Sequence, residues 1–209
     1  MRAHANTWPI PPMSPSKPRL PGFVRVIGGS LRGSKLPVPD VPGLRPTPDR
    51  VRETLFNWLM PVIDGARCLD LYAGTGALGI EAISRGAREV VLVERDPRLV
   101  VALRVQLQRL KIESATVVNE DASRYLGGAA PPFDVVFLDP PFDAGLWSEA
   151  ANALEQLGWL APAAWIYVES PREAPPAMPP NWSPWRELNA GSVRSALYRR
   201  TLSATAPSR

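Results

Sequence analysis

The chain has 209 residues, 45% of them hydrophobic and 21% charged, and a formal net charge of +4. That length suits one domain with a full core, while a lone cysteine (Cys68) and a lone histidine (His4) exclude an intramolecular disulfide, a Cys/His metal cluster and a histidine-based catalytic triad. No apolar run is long enough to cross a membrane as a helix, and the basic excess favours an anionic partner such as nucleic acid without requiring one.

Residues 1–22, MRAHANTWPIPPMSPSKPRLPG, read as a disordered, proline-rich tail with no secretory apolar region. FVRVIGG reads as a short strand, and SLRGSKLPVP as a turn at Gly33 leading into a second one. Residues 23–46 are therefore a predicted β-hairpin extension, with Arg25, Arg32, Lys35 and Arg45 along it. Thr47 is the predicted N-cap of the next helix, Pro48 suits its first position, and Asp49 suits the positive end of its dipole. Val51, Leu55, Trp58 and Leu59 share one face at helical spacing, which leaves Arg50, Arg52 and Asn57 on the other.

Strands and helices then alternate. ARCLDLY, REVVLVER, SATVVNED, FDVVFLDPP and AAWIYVES read as strands; GTGALGIEAISRG, DPRLVVALRVQLQRLK and GLWSEAANALEQLGWL read as helices, and ASRYLGG as a short helical piece. This alternation predicts an α/β fold with a mostly parallel sheet and helices on both faces. After Ser170, PREAPPAMPPNWSP reads as a loop and WRELNAGSVRSALYRRTL as a hairpin turning near Gly191. Residues 47–202 make the main domain, and 203–209 a frayed tail. Trp58, Trp147, Trp159 and Trp165 follow apolar periodicity and are read as core, as is Cys68 inside its strand.

Four features carry chemistry. In LDLYAGTGALG a buried strand ends on Asp70 and enters Ala73-Gly74-Thr75-Gly76, with Gly79 three positions on. Glycines let the backbone approach a ligand, and the following helix offers its N-terminal amides. Glu94 ends the second strand of this series, where a carboxylate accepts both hydroxyls of a ribose. Asp121 ends the third, where an acid takes the amino group of an adenine. The fourth strand runs into Asp139-Pro140-Pro141-Phe142. An exocyclic aromatic amine is a poor nucleophile because its lone pair is delocalised into the ring. A carboxylate and a rigid backbone carbonyl that accept its two N–H bonds hold it partly pyramidal, and an adjacent aromatic stacks on the flat ring. Orientation and fixed dipoles then supply the catalysis.

DLYAGTGALGIEA, Glu94, Asp121 and DPPF resemble the motifs of class I S-adenosylmethionine-dependent methyltransferases acting on exocyclic amines. RVIGG, LRPTPDRVRETLFNWL, GWLAPAAWIYVES and NWSPWRELNAGSVRSALYRR are similar to the bacterial 16S ribosomal RNA guanine-N2-methyltransferase family, whose target is the guanine at position 966. The likeness runs from about Phe23 to Leu202. It implies a Rossmann-like, seven-stranded sheet with a terminal antiparallel hairpin, S-adenosylmethionine as methyl donor, and 16S RNA in the small subunit or an assembly intermediate as substrate. By position it implies that Asp70, Ala73, Gly74, Thr75 and Gly76 line the methionine end, that Glu94 holds the ribose and that Asp121 meets the adenine. Asp139, Pro140 and Phe142 would grip and stack the guanine. Thr47 and Arg50 are assigned to the cofactor, and Arg25, Arg32, Lys35, Arg45 and Arg52 to RNA. A cytoplasmic monomer without a metal is expected. Other readings stay open: methylation of adenine N6 or of a protein glutamine, a nicotinamide oxidoreductase (which would share the glycine turn and Glu94 but leave DPPF unexplained), and a non-catalytic RNA-binding module, which needs no acids at strand tips.

Overall fold

A computed structural model describes residues 22–42, 44 and 46–201. Both predicted tails, apart from Gly22, and Arg45 lie outside the described residues. The chain begins with a two-stranded antiparallel hairpin, β1 (Phe23–Arg25) and β2 (Lys35–Pro37), followed by α1 (Asp49–Leu59). The alternating series is β3 (Arg67–Asp70), α2 (Ala77–Ser84), β4 (Glu89–Glu94), α3 (Pro97–Arg109), β5 (Ala115–Asn119), α4 (Ala122–Leu126), β6 (Phe133–Leu138), α5 (Trp147–Gln156) and β7 (Leu160–Pro171). It closes with β8 (Trp182–Ala190) and β9 (Val193–Arg200).

Seven of these strands form one sheet in the order β5-β4-β3-β6-β7-β9-β8. The first five are parallel; β9 runs antiparallel to both β7 and β8. From β3 the chain winds outward through β4 and β5, then returns to the other side of β3 with β6. The order therefore reverses between β3 and β6, and a crevice opens at their carboxyl ends, where α/β sheets bind ligands.

Both faces of the sheet are buried, so its central strands need near-continuous apolar sequence. Cys68, Val135 and Phe137 face one core with Val24, Leu36, Leu55, Phe56, Ile80 and Leu103. Leu69, Val136 and Leu138 face the other with Leu126, Trp147, Leu154 and Trp159. Burial raises the Cys68 thiol far above its ordinary range, so it stays protonated and inert.

Three expectations need correction. Helix α1 begins at Asp49 with Pro48 as its cap residue, one position later than the predicted Thr47 cap, because the Thr47 hydroxyl has a partner elsewhere. Helix α5 stops at Gln156, where Gly158 turns at φ +78°, and the strand that follows starts already at Leu160. Trp182-Ser183-Pro184, read as loop, opens the edge strand β8.

A fourth correction concerns Arg52, expected on the solvent face of α1 as an RNA contact. It is fully buried. Its Nη2 donates to the Arg25 carbonyl at 2.8 Å and to Asp49 Oδ1 at 2.6 Å, and its Nη1 to Glu81 Oε2 at 3.5 Å. Glu81, also fully buried, accepts from Ile27 N (2.8 Å), Gly28 N (2.9 Å) and Arg85 Nε (2.8 Å). Buried charges persist only when paired and hydrogen-bonded. Here that requirement fastens the hairpin, α1 and α2 to one carboxylate.

Candidate active site

The site lies where the sheet order reverses. Asp70 ends β3, is 3% exposed, and its Oδ2 accepts from Gly79 N at 3.0 Å. Burial pushes its pKa up to about 7; the Gly79 bond opposes the rise and nearby Glu94 adds to it. The turn that follows needs its glycines. Gly74 and Gly76 sit at φ +53° and +74°, and a Cβ on Gly76 would lie 2.5 Å from Leu103 Cδ2. A Cβ on Gly79 would meet Leu92 Cδ2 at 2.3 Å, so α2 rests directly on β4.

Glu94, at the tip of β4, reaches back to this turn. Its Oε2 accepts from Gly74 N at 2.9 Å and its Oε1 from Asp96 N at 2.8 Å. The carboxylate is half-buried and retains acceptor capacity for a ligand. Asp121, expected to end its strand, lies two residues past β5; it is exposed and caps α4, with Oδ1 accepting from Ser123 N (2.9 Å) and Ser123 Oγ (2.8 Å). Those bonds, the hydroxyl's first, hold its pKa below the ordinary value.

Across the crevice, β6 ends on Asp139. Pro140 is buried, and Phe142 opens a single 3-10 turn while remaining 37% exposed. The Phe142 ring tilts against Trp147 with centroids 5.6 Å apart, and the Trp147 indole donates to the Glu169 carbonyl at 2.6 Å. Asp139 keeps a partly accessible side. Its pKa is raised, first by burial, then by the charges of Glu169 and Asp70.

Sequence reasoning missed Glu169. It is 6% exposed, accepts from Tyr167 Oη at 2.7 Å, and also takes the Thr47 hydroxyl. Thr47, expected at the cofactor, thus faces the Asp139 side of the site. The signal was a fifth acid at a fifth strand tip, in YVES, but no glycine turn or proline pair marked it. The structure brings Asp70, Ala73 to Gly76, Glu94 and Asp139 to the strand tips with Thr47 and Glu169. It does not bring the hairpin cations there. Arg25, Arg32 and Lys35 are exposed on the extension, and Arg50 on the first turn of α1. Arg25 and Arg32 line a groove of about 320 Å³ with Asp49 and Glu53. Lys35 Nζ lies 4.5 Å from the ring centroid of Phe23, a 52% exposed aromatic that sequence reasoning passed over.

An open α/β sheet of this strand order, with a glycine turn at the point of reversal and an Asp-Pro-Pro-Phe slot on the neighbouring strand, defines a class I methyltransferase. The solved structure of the putative methyltransferase YhhF from Escherichia coli superposes with a TM-score of 0.81 at 51% identity, covering 87% of this chain and 100% of that one. The chain belongs to the family described as Conserved hypothetical protein 95, whose model matches residues 24–199. Among its relatives, Ribosomal RNA small subunit methyltransferase D of Escherichia coli (strain K12) is 54% identical over 180 residues, 86% of this chain and 91% of that protein. The protein of the same name from Haemophilus influenzae is 47% identical over 186 residues, 87% of this chain and 96% of that one.

Proposed function

We propose that the chain transfers a methyl group from S-adenosylmethionine to the exocyclic N2 of a guanine in 16S ribosomal RNA, the guanine at position 966. The observation that carries this reading is Asp139-Pro140-Pro141-Phe142 at the tip of β6, directly beside the glycine turn after β3. The relatives named for small-subunit ribosomal RNA support the substrate.

The residues present fit the cofactor. Gly74 and Gly76 put no side chain of their own between the turn's backbone and a ligand; in this reading Glu94 takes the ribose hydroxyls and Asp121 an adenine edge. Bound there, the cofactor supplies an electrophilic methyl group. The protein's work is on the acceptor. The Asp139 carboxylate and the Pro140 carbonyl accept the two N–H bonds of N2 and turn its lone pair out of the ring. Phe142 stacks on the base, with Trp147 backing its ring. Arg25, Arg32 and Lys35 contact phosphates, which positions RNA without reading its sequence.

The test is methyl incorporation from labelled S-adenosylmethionine into small-subunit particles lacking the modification, with the product base identified by mass. Label on guanine N2 is the expected result. Label on adenine N6 or on a protein amide overturns the substrate, and loss of label with Asp139→Ala is required of the mechanism.

A further inference from the structure

We propose that Glu169 is a positioning residue for Asp139: its fixed negative charge, one strand over, makes the Asp139 carboxylate the proton acceptor for the amine that has just received its methyl group. The inference deepens the proposed amine chemistry and rests on it.

The register places the two acids together. Phe137 pairs with Tyr167 and Leu138 with Val168, so Asp139, one residue past β6, and Glu169, within β7, follow directly on the last pair of these parallel strands. Side chains alternate across a sheet, so both acids follow the face of Phe137 and Tyr167. The charged groups facing Asp139 are Glu169 from β7 and Asp70 from β3, and the Tyr167 hydroxyl lies behind Glu169. Among the described residues no arginine or lysine pairs with any of the three acids.

Their hydrogen bonding separates them. Glu169 receives two hydroxyl donors, from Tyr167 and Thr47, which favour its ionised form. Among the described residues none donates to Asp139. Two coupled carboxyls lose their protons in two steps, and the partner that receives hydrogen bonds ionises first. Glu169 is therefore the standing charge, and Asp139 is the group whose proton affinity that charge raises.

This matters for one step. As the N2 lone pair forms the new N–C bond, the S–C bond breaks and its electron pair stays on sulfur, leaving S-adenosylhomocysteine. N2 then carries an extra proton and a positive charge. Asp139 already accepts one of its N–H bonds, so it takes that proton and releases it to water through its accessible side. A base acts best when its pKa lies near the working pH, and the charge of Glu169 moves Asp139 in that direction. Neither Glu169 nor Thr47 needs to touch the substrate.

The test begins with cofactor-free protein carrying carbon-13 at its aspartate carboxyls. Asp139 is identified by its loss in Asp139→Asn and titrated by NMR. Glu169→Gln removes the charge; Tyr167→Phe removes a bond that holds it. Both are expected to lower the Asp139 midpoint, Glu169→Gln by about one pH unit or more, a tenfold change in proton affinity. The acid limb of the pH profile for kcat then moves down by the same amount. An unmoved Asp139 midpoint in both variants overturns the charge coupling. A lowered midpoint with an unmoved acid limb overturns the proton-acceptor role. Wild-type protein that titrates as described but methylates no RNA refutes the proposed function instead, so the two failures are distinguishable.

Discussion

Replacing Glu81 by glutamine keeps the volume of the side chain and removes its charge at a fully buried position. The wild-type carboxylate accepts from Ile27 N, Gly28 N, Arg52 and Arg85. The amide presents an NH2 group to at least one of those donors. It also leaves the buried Arg52 guanidinium with Asp49, whose side chain is 66% exposed, as its only carboxylate among the described residues. Breaking a buried ion pair by neutralising one partner costs about 3–5 kcal/mol, a large part of a total stability on the order of 5–15 kcal/mol. At this chain length 1 kcal/mol is worth roughly 2–4 °C, so the melting temperature is expected to fall by roughly 6–20 °C. Urea unfolding followed by tryptophan fluorescence gives the free-energy loss. Hydrogen exchange gives its location, with Ile27 and Gly28 amides losing protection before those of β3 and β6. A loss under about 1 kcal/mol with both amides still protected would refute the reasoning.

Three further outcomes are expected. Glu94→Ala strips Gly74 N and Asp96 N of their acceptor as well as any ribose contact, and calorimetry should show S-adenosylmethionine binding at least about tenfold weaker; unchanged affinity removes the ribose role. Lys35→Ala should weaken RNA binding and reduce the slope of log affinity against log salt by about 1, leaving cofactor affinity alone; an unchanged slope takes Lys35 off the phosphate path. Glu155, bonded by Arg200 and by Trp182, has its pKa lowered to about 2, the Arg200 bond being the largest cause. A depressed acid stabilises the fold above its ordinary pKa of 4.5 and loses that contribution as pH falls through the lowered one. The urea midpoints of wild type and Glu155→Gln should therefore differ most above about pH 5 and converge as the pH approaches 2; a gap independent of pH means that ionisation is not its source.

What could be read in advance depended on how local the cause was. The glycine turn, Glu94 and the Asp-Pro-Pro-Phe run stand at strand ends, and strand ends show in sequence as an apolar run stopping on an acid. The parallel core was legible because β3, β4 and β6 are buried on both faces and so are apolar throughout. Arg52 was not legible: the partners that draw it inward are a carbonyl 27 positions away and a carboxylate 29 positions away, and a lone arginine among polar neighbours on a helix reads as a solvent face. Glu169 failed for a related reason. Its neighbour Asp139 belongs to another strand, and its two hydroxyl donors come from Tyr167 and from the loop before α1. Phe56, at 0% exposure, was overlooked because a face drawn from Val51, Leu55, Trp58 and Leu59 already looked complete.

The carboxylate of Glu81 also imposes an order on folding. Its bonds to Ile27 and Gly28 span 54 and 53 positions, and Ser30 N reaches the Ser84 carbonyl over a similar distance. A lone two-stranded hairpin is marginal in water, and β1 and β2 each bury only one apolar residue, Val24 and Leu36. During synthesis the hairpin is therefore made first and docks later. At about 5–20 residues per second it waits roughly 3–10 s for α2 to be translated. A segment made before α2 is thus added to the domain from outside, after the helix that it braces.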